Sequence, residues 1–494
     1  MKQKMATVKN VRKIDRERRR ASRKRIINAD ILKVSVFFAL LFLAMIISLG
    51  VFITRDSGTV INNTYNKRSQ SIKKAVQRGT IYSANGDILA YSEIDEDGNE
   101  ERIYPYGSTF AHVVGFESNG GLGIEASYNY YLLTSHVNVF QHIANEFNSV
   151  KQPGDSLITT LDTGIQEKLE EILGWAEGAI VVLNPKTGEI LGMYSNPGFD
   201  PNTIDEIWDE ISSDNENSVL VNRAASATYT PGSTFKLFTL LEFYRETDGG
   251  AADFEYECQG SVTVSGSTVS CHDGEVHGWE NINDAFANSC NAAFTEIGLS
   301  LDLDSFRTNN EALFFNSEMP LDIEYKSSSF TLDADSSDFM VMQTSFGQGQ
   351  TLVSPIHLAL ITAAIANDGV LMKPHLVSEI IDWQGNSVSK IENTEYARLL
   401  TSDEAQFMRE NMRAVVTEGT GIILSYDGNY ISYGKTGTAE TSSDEENNYD
   451  HSWFTGFAEN DGTSIVVCAM IENSQESGLT GVWAVKQVFD YYFN

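Results

Sequence analysis

The stretch Tyr229-Thr230-Pro231-Gly232-Ser233-Thr234-Phe235-Lys236-Leu237-Phe238 decides how this chain is read. Pro231 and Gly232 suit a break in the backbone. Beyond them, Leu237, Phe238, Leu240, Leu241, Phe243 and Tyr244 place apolar side chains nearly all round a helix, the mark of a helix buried in a core. Ser233 and Lys236, three residues apart, then share one helical face. A serine hydroxyl is a weak nucleophile until a base takes its proton, and a lysine whose pKa is lowered by burial can be that base. The serine would also sit at the positive end of the helix, near its free backbone N–H groups.

Alone, Ser-x-x-Lys says little, because it recurs at Ser71/Lys74, Ser387/Lys390 and Ser432/Lys435. Ser-x-Asn begins at Ser83, Ser127, Ser213 and Ser289, and Lys-Thr-Gly at Lys186 and Lys435. A solvated surface pair explains Ser71, and a hairpin turn explains Lys186. Order and context select one set: Ser233, then Ser289-Cys290-Asn291 after 56 residues, then Lys435-Thr436-Gly437-Thr438 after 146 more, at the end of a strand.

Outward from this set, Leu157–Leu161, Ala179–Leu183, Ile190–Met193, Tyr430–Tyr433, Trp453–Phe457 and Ser464–Ile471 read as strands. Asn184-Pro185-Lys186-Thr187-Gly188 makes a hairpin of the second and third. Gly164–Gly178 has helical periodicity, and Val482–Tyr492 is amphipathic. The texture changes at Ser156. Residues 56–155, with turn signals at Asn85-Gly86, Asp97-Gly98 and Asn119-Gly120-Gly121, read as a small α+β module without a charge-bearing constellation. Thr441–Asp450 reads as a solvated acidic loop.

Val34–Ile53 is twenty residues without a charge. A helix of that length is about 30 Å long, the thickness of a bilayer core, and longer than the apolar region of a cleaved signal peptide. Residues 1–30 hold 12 Lys/Arg and 3 Asp/Glu. The expectation is a basic cytoplasmic tail over 1–33, an uncleaved membrane anchor over 34–53, and everything from residue 56 outside the cell membrane. The 494 residues carry a net charge of −33, so the part beyond the basic tail is more acidic still. That acidity argues against nucleic-acid binding. Four cysteines without a Cys-x-x-Cys exclude a disulfide-dense scaffold.

The ordered set resembles the penicillin-binding transpeptidases and serine β-lactamases, whose Ser-x-x-Lys, Ser-x-Asn and Lys-Thr-Gly elements line one cleft. Arg78-Gly79-Thr80-Ile81-Tyr82, Gly123-Ile124-Glu125, Leu161-Asp162-Thr163, Lys186-Thr187-Gly188-Glu189-Ile190-Leu191, Asn196-Pro197-Gly198-Phe199-Asp200-Pro201-Asn202, Gly347-Gln348-Gly349-Gln350, Ala366-Asn367-Asp368-Gly369 and Trp453-Phe454-Thr455-Gly456-Phe457 narrow it. Together they resemble a class B penicillin-binding protein of the short, PbpA-like type, over about residues 60–494. The resemblance implies an α/β (α+β) fold: a pedestal module over 56–155 and a transpeptidase domain over 156–494. In the latter an antiparallel five-stranded sheet lies between helices, beside an all-helical lobe.

It also implies a chemistry, peptidoglycan D,D-transpeptidation. Ser233 would attack the penultimate D-Ala carbonyl of a stem peptide ending in D-Ala-D-Ala, release D-Ala, and pass the acyl group to an amine of a neighbouring stem. Lys236 would be the base, Ser289 a proton relay with Lys435 nearby, and Asn291 a positioning group. The backbone N–H groups of Ser233 and Thr438 would hold the oxyanion. Thr436 and Thr438 would hold the substrate's terminal carboxylate and Lys435 would attract it, with Gly437 counted among the substrate-binding residues. β-Lactams would acylate the same serine. The implied partner is a multipass SEDS glycosyltransferase of the RodA or FtsW kind, since no glycan polymerase accompanies the domain. A D,D-carboxypeptidase and a non-catalytic β-lactam-binding scaffold or sensor are the alternatives. The signature of a β-lactamase deacylating Glu is missing; the stretch in its place reads Glu324-Tyr325-Lys326-Ser327.

No cofactor is expected, and no metal, since His277 and His451 lack any familiar zinc spacing. Cys290 and Cys468 read as buried small side chains, and Cys258 and Cys271 as a disulfide pair outside the membrane.

Overall fold

The structure, a computed structural model, describes residues 2–51, 73–95, 98–148, 150–213, 218–426, 428–440 and 450–494. Ser71 and most of the expected acidic loop at 441–450 lie outside the described residues. The chain divides into two compact units, Met1–Asn66 and Lys67–Asn494.

In the first unit, α1 (Lys2–Val51) runs through the basic segment without a break. Its stretch Ile31–Gly50, with a mean hydropathy of 2.5, is the one helix among the described residues long and apolar enough to cross a membrane. The last two residues of the expected span, Phe52 and Ile53, lie outside the described residues.

The second unit is organised by five antiparallel strands. They are β1 (Gly178–Leu183), β2 (Ile190–Asn196), β3 (Ile431–Glu440), β4 (Asp450–Asn460) and β5 (Thr463–Ile471), in the order β3-β4-β5-β1-β2. The helices that matter to the site are α2 (Thr163–Leu173), α3 (Lys236–Glu246), α4 (Asn291–Ser300), α5 (Pro355–Ala366), α6 (Ser402–Thr417) and α7 (Gly481–Phe493).

Every residue of β1 is buried, because the sheet is covered on both faces. The period-two alternation sorts its side chains. Ile180 and Val182 join Val467 and Ala469 against Leu169 of α2 and Val485 and Phe489 of α7. Ala179, Val181 and Leu183 join Val466 and Met470 on the opposite face, in the core that contains α5. Eleven of the twelve residues of α5 are buried, as its unbroken apolar sequence demands. The β1–β2 turn holds Lys186 where the sequence places it: Asn184 accepts from the Lys186 N–H at 2.9 Å, and Gly188 takes φ +80°.

A second sheet has six strands and spans the expected boundary at Ser156. Ser156–Thr159 pairs in parallel with Ile81–Tyr82 and antiparallel with Val377–Ile381. Beside it lies a buried charge network between segments distant in the chain. Arg78 Nε and Arg102 Nε donate to the two oxygens of Glu125 at 2.5 and 2.7 Å, and Arg78 Nη1 donates to Asn129 Oδ1 at 2.5 Å. Burial pushes the Glu125 carboxyl up, but Arg102 and Arg78 outweigh it and hold it below the usual carboxylate range.

Candidate active site

Three separate segments bring the ordered motif set to one place. Ser233 lies in the 3-10 turn Gly232–Phe235 that leads into α3, and Lys236 is the first residue of that helix. Ser289 lies in the turn before α4, at φ +57°, a left-handed conformation that costs a non-glycine residue about 1 kcal/mol or more. Asn291 opens α4. Lys435 lies within β3, opposite Thr455. The sequence reading placed Lys435 to Thr438 at the end of a strand that begins at Tyr430–Tyr433. The strand instead runs on to Glu440, because β4 pairs with it as far as Asp450.

Glycines let these backbones meet. Gly232 has φ +55°, and a Cβ there would fall 2.3 Å from the Thr438 carbonyl oxygen. A Cβ on Gly437 would fall 2.9 Å from Thr234 Cγ2. Gly347 of the Gly-Gln-Gly-Gln segment accepts from the Gly232 N–H at 2.9 Å, and Trp453 Nε1 donates to the Thr230 carbonyl at 3.1 Å. The turn that carries the serine is thus clamped between β3, β4 and the 347–350 segment.

Lys236 and Lys435 are fully buried, whereas Ser233 and Ser289 are only half-buried. Lys236 Nζ donates to the Ser289 carbonyl at 2.6 Å and to Asn291 Oδ1 at 2.7 Å. It also lies 3.1 Å from Ser233 Oγ and 3.2 Å from Ser289 Oγ. A neutral amine has two protons and one lone pair. The two strong acceptors take the protons, which leaves the lone pair for the hydroxyls. Burial pushes the Lys236 pKa down to about 7, against smaller raising effects from Cys290, Cys271 and Glu280. Lys435 Nζ donates to Ser289 Oγ at 2.9 Å and to the Thr436 carbonyl at 3.1 Å. Burial, and then the neighbouring Lys236, push Lys435 well below the usual lysine range. Two lysines packed this way cannot both stay charged without an anion.

Along β3 the period of two puts Thr436 and Thr438 on one face. Thr438 is exposed, and Thr436 Oγ1 shares a hydrogen bond of 2.5 Å with Thr420 Oγ1. Asn291 Nδ2 donates to the Ser270 carbonyl at 3.0 Å, which fixes the amide so that its oxygen faces Lys236. The arrangement can deprotonate a serine, pass a proton through a second serine, and attract an anion.

Residues 178–490 match the penicillin binding protein transpeptidase domain. The chain belongs to that family. Residues 78–157 match the penicillin binding protein A dimerisation domain. Among the family's curated members, the peptidoglycan D,D-transpeptidase PbpA of Mycolicibacterium smegmatis is 30% identical over 423 residues, 80% of this chain and 84% of that protein. Among solved structures, the imipenem acyl-enzyme complex of penicillin-binding protein A from M. tuberculosis matches with a TM-score of 0.76 and 26% identity, covering 85% of this chain and 99% of that one. The D,D-transpeptidase domain of a peptidoglycan glycosyltransferase from Eggerthella lenta gives 0.74 and 29%, covering 84% and 97%.

Within this penicillin-binding fold the competing motif copies fall elsewhere. Ser387–Lys390 is an exposed strand of the second sheet. Lys186 is in the β1–β2 turn, where it donates to the Gly462 carbonyl at 2.5 Å. Ser432 is buried, and its hydroxyl donates to the Leu424 carbonyl at 3.2 Å. Thr420 was missed by motif reading, since nothing in Glu418-Gly419-Thr420-Gly421 marks it beyond a turn. Cys290 and Cys468 are buried, as expected, but the Cys258–Cys271 pair departs from expectation. Cys258 and Cys271 are unbonded thiols with their sulfurs 3.7 Å apart, and Cys290 is as close to Cys271. His277, for which no metal role was expected, joins them.

Proposed function

We propose that the protein is a cell-wall peptidoglycan D,D-transpeptidase that works through an acyl-enzyme on Ser233. The observation that carries this is the Lys236 amine, buried, held by two carbonyl acceptors and 3.1 Å from Ser233 Oγ. Lys236 takes the Ser233 proton as Oγ attacks the penultimate D-Ala carbonyl of a stem peptide. The backbone N–H groups of Ser233 and Thr438, on the two backbones that Gly232 brings together, receive the oxyanion; one such donor is typically worth about 10²–10³ in rate. The proton travels by Ser289 to the departing D-Ala nitrogen, with Lys435 stabilising the relay. Lys435, Thr436 and Thr438 hold the terminal carboxylate. An amine of a second stem then attacks the ester, and the same groups run in reverse. A β-lactam enters as a mimic of the stem terminus.

The apolar stretch of α1 anchors the protein in the cell membrane, with the basic segment on the cytoplasmic side and the catalytic unit outside. Its partner is a SEDS-type glycosyltransferase, which supplies the glycan strands that this chain cross-links.

The test uses the full-length protein with nascent glycan strands and a D-amino-acid acceptor. Transpeptidation predicts release of D-Ala matched by acceptor incorporation and cross-links. Release matched only by free tetrapeptide would make the protein a carboxypeptidase instead.

A further inference from the structure

Far from the catalytic groups in sequence, one helix of the second unit carries an apolar face that none of the described residues covers. The helix Val139–Phe147 is capped by Asn138, whose side chain accepts from the Gln141 N–H at 2.9 Å. Phe140, Ile143 and Phe147 stand at i, i+3 and i+7, so they form one stripe. They are 86%, 58% and 89% exposed, and Val150 just beyond the helix is exposed as well. On the side away from the stripe, Asn145 Nδ2 donates to Oε1 of the buried Gln152 at 2.9 Å. The His142 carbonyl accepts from Gln152 Nε2 at 3.3 Å. The helix is thus held by its polar side, and its apolar side is presented outward. Two phenylalanine rings and an isoleucine gathered on one exposed face mark an interaction surface.

Two observations say what covers it. The first is where the chain comes from. α1 is described to Val51 and the second unit from Lys73, so residues 52–72 join the apolar stretch to this unit and can span at most about 75 Å. The entry strand Val76–Gln77 pairs in parallel with Gln152–Pro153, and Gln152 is the residue that holds the helix. The stripe therefore belongs to the corner of the fold at which the chain arrives from its apolar stretch. The second observation is charge. The chain carries a net −33, and an acidic surface is repelled by anionic lipid headgroups. Over residues 136–151, however, Glu146 and Lys151 are the only charged side chains, a net of zero. This corner is neutral and apolar on an acidic protein.

We infer that Phe140, Ile143 and Phe147 seat this helix in the outer headgroup layer of the membrane that holds α1, with the helix axis in the membrane plane. The inference rests on the reading of α1 as a membrane anchor. Three apolar side chains bind a free bilayer weakly, as a single acyl chain does. Here the connecting segment makes the contact intramolecular, and the high effective concentration makes a weak contact persistent. It gives the second unit an attachment to the bilayer besides the chain itself.

The test is nitroxide labelling of full-length protein in nanodiscs that hold one copy, made of phosphatidylglycerol and phosphatidylethanolamine in equal parts. Phe140→Cys, Ile143→Cys and Phe147→Cys are labelled, and the signal of equally treated wild type is subtracted for the four native cysteines. Oxygen partitions into lipid, whereas a nickel chelate stays in water. The ratio of oxygen to nickel collisions should be about fivefold or more higher at the three positions than at His142→Cys on the other flank, as for side chains sunk in the headgroup boundary. Ser48→Cys, within the apolar stretch, reports on the anchor. Adding Phe140→Gln and Phe147→Gln should return the Ile143→Cys label to water while penicillin acylation stays at the wild-type rate. Water-exposed labels at all three positions, with a lipid-exposed Ser48→Cys label, would overturn this inference and leave the anchor standing. A water-exposed Ser48→Cys label would overturn both. Protection of the three positions only in discs that hold two copies, or only after a glycosyltransferase is added, would assign the stripe to a protein partner and overturn the lipid contact.

Discussion

Lys435 donates to the Ser289 hydroxyl at 2.9 Å, while Lys236 lies 3.2 Å from the same oxygen. Ser289 therefore joins two buried amines through a hydroxyl that can accept from one and donate to the other. The two changes Ser289→Ala and Lys435→Ala should differ in kind. Ser289→Ala removes the relay and should slow acylation by about 10²–10⁴-fold with every ligand. Lys435→Ala should cost carboxylate-bearing ligands more than analogues without the carboxylate, and Lys435→Arg should restore charge but not geometry. Second-order acylation rates for paired ligands decide it; equal losses in Lys435→Ala would remove the carboxylate role.

The pH profile follows from Lys236. Its lone pair exists only in the deprotonated amine, and burial brings its pKa down to about 7. Acylation should therefore rise with pH through about 7 and level off above it. Below that it should fall about tenfold per pH unit, as for a single base. A rate independent of pH between 5 and 8 would show that Lys236 is not the base.

Gly232 is a position where only glycine fits, by conformation and by contact. Gly232→Ala puts a methyl 2.3 Å from the Thr438 carbonyl at φ +55° and should push the serine turn off β3, lowering acylation at least about 100-fold. Gly385→Ala, at φ +82° in open space, should leave acylation near wild type. Equal acylation in the two variants would refute the clamp.

The Arg78–Glu125–Arg102 network should hold the second sheet. Arg78→Ala strands part of the buried Glu125 charge and should cost about 3–5 kcal/mol, read as a lowered urea midpoint. An unchanged midpoint would place the network among the energetically neutral ion pairs.

Strands β1 and β5 were legible because they are continuous apolar runs, as a sheet covered on both faces requires. Ser233, Lys236, Ser289, Asn291 and Lys435 were legible because they stand in short motifs in a fixed order. The full length of β3 was not legible, because the apolar run stops at Tyr433 and Gly434 and Gly437 are points of close backbone approach. Thr420 and the Arg78 network were illegible, since each depends on contacts between segments distant in sequence. The cluster of Cys258, Cys271, His277 and Cys290 was hidden for the same reason: its four members come from separate segments, at spacings that match no compact metal motif.

The most direct measurement of the central claim is peptide mapping by mass spectrometry after reaction with penicillin. The penicilloyl adduct should fall on the peptide that contains Ser233. It should be absent from folded Ser233→Ala protein and unchanged in Ser387→Ala. An adduct on any other serine, or persistent labelling of folded Ser233→Ala, would contradict the assignment of Ser233 as the nucleophile.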